Sequence, residues 1–86
     1  MNTYVKVNNH ISNATIHFLK NHLYITSHQG YFKGQTISLK CQDIYYVTST
    51  SVFGGKQICF SYENTYYTLY TQGLGMADYF ERHLGL

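Results

Sequence analysis

The stretch Ile44 to Tyr70, IYYVTSTSVFGGKQICFSYENTYYTLY, does most to limit what this chain can fold into. Its β-branched and aromatic residues alternate with smaller or polar ones, and the runs are broken at Phe53-Gly54-Gly55-Lys56 and Glu63-Asn64. Short alternating runs separated by Gly or Asn turns read as three antiparallel strands joined by hairpins. Ile58, Phe60 and Tyr62 then share one face with Cys59 on the other, and Tyr67 and Leu69 point into the core. Ile44 and Val47, three apart, break strict alternation. A bulge near Tyr45-Tyr46 would return both to the inner face.

The rest of the chain extends the pattern. Thr3 to Asn8 is a β-branched first strand, and Asn8 to Asn13 reads as a turn-rich connection whose side chains satisfy local backbone groups. Ala14 to Leu19 and His22 to His28 form a hairpin around Lys20-Asn21, with Ile16, Phe18, Leu23 and Ile25 on one face. Gln29 to Gln35 is a loop bracketed by Gly30 and Gly34, and Thr36 to Lys40 is a fourth strand with Ile37 and Leu39 inward. Met76, Ala77, Phe80 and Leu84 fall on one helical face within Leu74 to Leu84, with an Asp78–Arg82 surface pair and Gly85 as the stop. A helix this short is marginal alone and must pack on the sheet. The expected fold is mainly β with one C-terminal α-helix: a seven-stranded antiparallel barrel or two-sheet sandwich capped by the helix, in a single domain over residues 1–86.

Composition narrows the function. Ten Tyr in 86 residues exceed what a small core can hold, since each buried hydroxyl needs a partner. Several tyrosines must therefore lie outside. Only 12% of residues are charged, and the net charge of +2 comes from scattered lysines and one arginine. Without a clustered basic patch, nucleic acid is not the expected partner. Two cysteines are too few for a disulfide framework. With no secretory leader and no membrane-length apolar run, the expectation is a cytoplasmic protein with free thiols.

Catalytic chemistry lacks its parts. Asp43 and Glu63 lie apart from each other and from Asp78 and Glu81, and no pair of the four has a spacing that places both on one strand face for acid–base work. Cys41 or Cys59 could meet a histidine only in space, and otherwise serve as small core or sheet residues. His22 and His28, six apart on a strand, are separated by ~20 Å and cannot share an ion. His17 lacks a Cys or carboxylate to complete a ligand set. No metal, cofactor or enzymatic activity is expected. Gly54-Gly55-Lys56 offers open backbone N–H groups beside a cation, but a strand follows where a phosphate loop needs a Ser/Thr and a helix. A glycine hairpin turn with a solvated Lys is the expected reading.

Seven antiparallel strands and one capping helix are also the order of the pleckstrin-homology-like barrel. Ile37-Ser38-Leu39 followed by Asp43-Ile44 and Val47 resembles the spine of bacterial PH-like and GRAM domains. Gly54-Gly55-Lys56 with Ile58, and Ile16-His17-Phe18 with Leu23-Tyr24-Ile25-Thr26, resemble two of their hairpins. Tyr46-Val47 with Phe53-Gly54-Gly55-Lys56 is most similar to a small family of unknown function encoded beside mannose-class phosphotransferase systems in Gram-positive bacteria. The resemblance implies a binding module and suggests a membrane transport complex as client. It departs from phosphoinositide-binding members in the early connection Asn8 to Asn13, which carries no Lys or Arg.

The expected function is non-enzymatic: a protein-binding adaptor or regulatory module. Tyr45, Tyr62, Tyr66 and Tyr70 are its candidate contacts, with a partner protein or a second copy. Cross-strand stacking is the plain alternative for the same side chains. A second expectation is a weak membrane-surface or anionic-ligand contact through Tyr31, Phe32, Lys33, Phe53, Gly54, Gly55 and Lys56. Phe32 would leave that set if it folded back over the core.

Overall fold

The computed structural model describes residues 2–30 and 32–85, with the Leu74 side chain outside the description. Seven antiparallel strands run in chain order: β1 (Asn2–Val7), β2 (His10–Leu19), β3 (His22–Gly30), β4 (Thr36–Lys40), β5 (Tyr45–Val52), β6 (Gly55–Tyr62) and β7 (Thr65–Gln72). A 3-10 turn at Cys41–Asp43 links β4 to β5, and α1 (Gly73–Leu84) ends the chain. The strands form one sheet in the order β4-β3-β2-β1-β7-β6-β5, curled into a half-barrel, so that β1 joins the N-terminal half to the C-terminal half.

Tight turns set the registers. Lys20-Asn21 and Glu63-Asn64 both take positive φ at each residue, the mirror-image turn whose twist matches paired strands. Tyr46 also has positive φ (56°), and the β5–β6 register shifts between Tyr45 and Thr48. The expected bulge is there, and Ile44 and Val47 both pack against the core.

The Asn8 to Asn13 connection is corrected. Only Asn8-Asn9 turns, and His10 to Asn13 already belong to β2. These residues look like loop by side chain, but β1 pairs with Ile11, Ser12 and Asn13 on one side and β3 with Ser12 and Asn13 on the other. Strands on both sides satisfy the backbone whatever the side chains are.

The concave side holds the core: Val5, Ala14, Ile16, Leu23, Ile25, Ile58, Phe60, Leu69 and Phe80 are all fully buried. Phe32 is also buried, folding back from the β3–β4 connection as a lid. α1 closes one end. Phe80 enters the core, while Tyr79 and His83 both contact the Phe18 ring, His83 stacked at 4.6 Å. The Phe18 N–H donates to the Tyr79 hydroxyl at 3.1 Å. Gly85 ends the helix at φ 79°. Between β4 and β6, the Lys40 N–H donates to the Tyr62 hydroxyl at 3.4 Å.

Gly54 and Gly55 answer two different demands. Gly54 has φ 85° with open space around it, whereas a Cβ on Gly55 would sit 2.0 Å from the Thr71 carbonyl oxygen. Gly54→Ala should cost about 1 kcal/mol through the left-handed backbone. Gly55→Ala should cost more, about 2–3 kcal/mol, because β6 and β7 must separate. Denaturant melts of the two variants measure the difference, and equal losses would remove the close approach as the reason for Gly55.

Candidate functional site

Strand parity sorts the side chains into a core face and an outer face. On the outer face the registers align Tyr66 with Ser61 and Tyr45, and Lys6 with Thr68, Cys59 and Thr48. Tyr4, Ile11 and Tyr70 line a shallow depression of about 320 Å³ on the same face. Tyr4, Ile11, Tyr45 and Tyr66 are all exposed, and Tyr70 is half-buried. Lys6 is the one charged side chain at the outward positions of β1, β6 and β7 among the described residues. Large, sparsely charged amphipathic side chains grouped on an outer sheet face are the composition of a contact surface.

Of the expected tyrosines, Tyr45, Tyr66 and Tyr70 share this face and Tyr62 does not. Tyr62 has the parity of Ile58 and Phe60, packs against the core and spends its hydroxyl on the Lys40 N–H. Tyr4 and Ile11 were missed. Alternation in Thr3 to Asn8 already turns Tyr4 away from Val5 and Val7. Its neighbourhood with Tyr70 exists only once β1 pairs with β7.

Cys59 lies under this surface. It is 8% exposed, with Gln57 Nε2 at 3.6 Å and Thr68 Oγ1 at 3.7 Å from its sulfur. Burial pushes the thiol up, but hydrogen bonds from Gln57, Tyr66, Thr68 and Thr48 outweigh it and leave the group below its ordinary value. The Tyr66 phenol moves the other way, held up by its hydrogen bond to Cys59. Cys41, by contrast, is pushed up by burial.

The loop set separates. Tyr31 lies outside the described residues. Phe32 is buried as the lid over the core that the sequence allowed, so it is removed from the loop-contact set: its ring gains more from the barrel interior than from water. Phe53 is fully exposed at the β5–β6 turn, and Lys33 is exposed on the β3–β4 connection. Lys56 Nζ is 2.6 Å from Glu81 Oε1 on α1, and Ser49 Oγ donates to the same oxygen at 3.3 Å. Gly54 accepts a hydrogen bond from the Gly73 N–H at 3.3 Å. The Gly54-Gly55-Lys56 turn thus fastens the start of the helix to β6. A cleft of about 250 Å³ remains between them, lined by Ser51, Gly54, Gly55, Lys56, Gly73 and Ala77.

His17 and His22 both stack on Tyr24, with ring centroids 5.0 and 6.0 Å away. Among the described residues there is no group of three His, Cys, Asp or Glu placed to hold a metal ion. No described helix is long and apolar enough to cross a membrane. Comparison with protein-family models, with curated proteins and with solved structures found no match.

Two measurements follow from these charges. Replacing Tyr66 by Phe removes a donor to the Cys59 thiolate, so the pH of half-maximal Cys59 alkylation should rise. Peptide-resolved alkylation against pH reads this, and an unmoved midpoint would sever the link. The Lys56 hydrogen bond holds the Glu81 carboxyl below its ordinary value. A lowered carboxyl stabilises fully above the unfolded value of about 4.3 and loses that effect as pH falls through the lower folded value. Stability should therefore fall more steeply with acid in the wild type than in Glu81→Gln, in a window below about pH 5.

Proposed function

We propose that the chain is a non-enzymatic binding module, a pleckstrin-homology-like barrel that contacts a protein through the outer face of β1, β2, β6 and β7. The observation that carries this is the grouping of Tyr4, Ile11 and Tyr70 around one shallow depression, with exposed Tyr66 on the same face of β7 and Lys6 as the one charged side chain at the outward positions of β1, β6 and β7 among the described residues. Seven antiparallel strands followed by a capping helix support the build. Tyrosine suits such a surface because it offers a large contact area and a hydrogen-bonding tip at a small cost in side-chain entropy. The carboxylates of Asp78 and Glu81 are tied to Arg82 and Lys56, which further argues against acid–base catalysis.

A membrane or anionic-ligand contact is the weaker alternative. Phe32 is in the core and Lys56 is bound to Glu81. Among the described side chains of that set, Phe53 and Lys33 remain, on connections from opposite edges of the sheet. The resemblance of the β5–β6 hairpin suggests a membrane transport complex as the first client to try.

The test is capture from detergent-solubilised extract by the wild type and by Tyr4→Thr with Tyr70→Thr, a pair that keeps strand preference while removing the rings. A partner held through this face should be lost by about tenfold or more at unchanged fold, as for other aromatic anchors. Lys33→Glu should retain it. A folded double variant that captures the same partner equally well would overturn the assignment of this face.

A further inference from the structure

We infer that β5 is a self-association edge, at which two copies pair their β5 strands antiparallel about a twofold axis at Thr50. β5 ends the sheet and has β6 on one side only. All eight of its residues except Val47 are exposed, and none is charged or proline. Natural edge strands are usually short, charged, bulged or covered, because their free N–H and C=O groups template another strand. The opposite edge follows that rule: β4 has five residues and ends on Lys40. On β5 the bulge at Tyr46 interrupts one end, which leaves Thr48 to Val52 free to pair.

The occupant is a second copy because this edge is complementary to itself. Thr48, Thr50 and Val52 share the outer face of Cys59 and Gln57, while Ser49 and Ser51 point to the inner side with Ile58. An axis perpendicular to the sheet sets outward residues against outward ones. Centred on Thr50, it places Thr50 opposite Thr50, Ser49 opposite Ser51 and Thr48 opposite Val52, with no like charges facing each other.

The apolar residues agree. Four of the eight exposed large hydrophobics among the described residues are Tyr45, Tyr46, Val52 and Phe53, two at each end of this strand. Antiparallel pairing brings the tyrosine end of one copy to the Val52–Phe53 end of the other. Phe53, fully exposed in its own chain, then lies beside Val47 and Tyr46 of the second copy.

Sedimentation equilibrium from about 1 μM to 1 mM should show a monomer–dimer equilibrium for the wild type. Thr50→Glu and Thr50→Lys each set like charges against themselves at the axis, and each alone should weaken the dimer about tenfold or more. An equimolar mixture of the two should recover it, since a charge complement forms only if Thr50 faces Thr50. In the wild type, amide protection in 47–52 should rise with concentration. That measurement needs no variant and serves if a substitution disturbs folding. A wild type that stays monomeric throughout overturns the proposal. So does a dimer whose concentration-dependent protection falls elsewhere, or a mixture that stays as weak as its components.

Discussion

Everything in this fold hangs on β1 being held along both edges. Val5, Lys6 and Val7 pair with Leu69, Thr68 and Tyr67 on one side, while the same strand pairs with β2 along its whole length on the other. Beyond the ladder, the Asn8 N–H donates to the Tyr66 carbonyl and the Tyr66 N–H to the Asn8 side chain, and the Thr3 hydroxyl donates to the Tyr70 carbonyl. Bringing together residues roughly sixty apart costs about 4 kcal/mol of chain entropy. Full burial of Val5 and Leu69 at this seam contributes about 3–6 kcal/mol, enough to offset it. The hairpins on either side are local, but the closed core exists only after this pairing.

What sequence reveals and what it hides divides along that seam. Each hairpin carries its own signal: Lys20-Asn21 and Glu63-Asn64 lie between alternating runs, and the pairings they imply are local. The helix is legible for the same reason, since Met76, Ala77, Phe80 and Leu84 repeat within its own length. His10 to Asn13 is hidden for another reason: its Asn, His and Ser side chains suit a turn, while pairing to β1 on one side and β3 on the other satisfies its backbone as a strand. Ser12 is buried in a strand although serine is a common turn residue.

The candidate site shows the same division. Tyr66 and Tyr70 stand out because they are neighbours on one strand in a tyrosine-rich run. Tyr4 and Ile11 belong to the same patch, yet only the β1–β7 pairing brings them there. Tyr62 shares the parity of Ile58 and Phe60 and packs with them, which separates it from the outer tyrosines that composition alone would group it with. Lys56 looked free beside two glycines. Its partner, Glu81, lies 25 positions further along on α1, where no local pattern points back to it. The Gly54-Gly55 pair thus has a structural reason at each residue: a close strand contact at Gly55 and a fastening to the helix start at Gly54.

The depression at Tyr4, Ile11 and Tyr70 lies on β1, β2 and β7 and the proposed pairing edge on β5, and together they have a consequence neither has alone. An axis perpendicular to the sheet leaves both outer faces on the same side of the paired sheets. Each copy's depression at Tyr4, Ile11 and Tyr70 is shallow and open, the shape of a modest contact rather than a deep pocket. Two such contacts held in fixed register would bind a partner presenting two sites much more tightly than a partner presenting one, because the second contact forms within the complex. A pair built this way would favour oligomeric or repeating partners over monomeric ones without any change to the tyrosines. The uncharged edge, a liability for an isolated barrel, would then set the spacing at which its binding faces are presented.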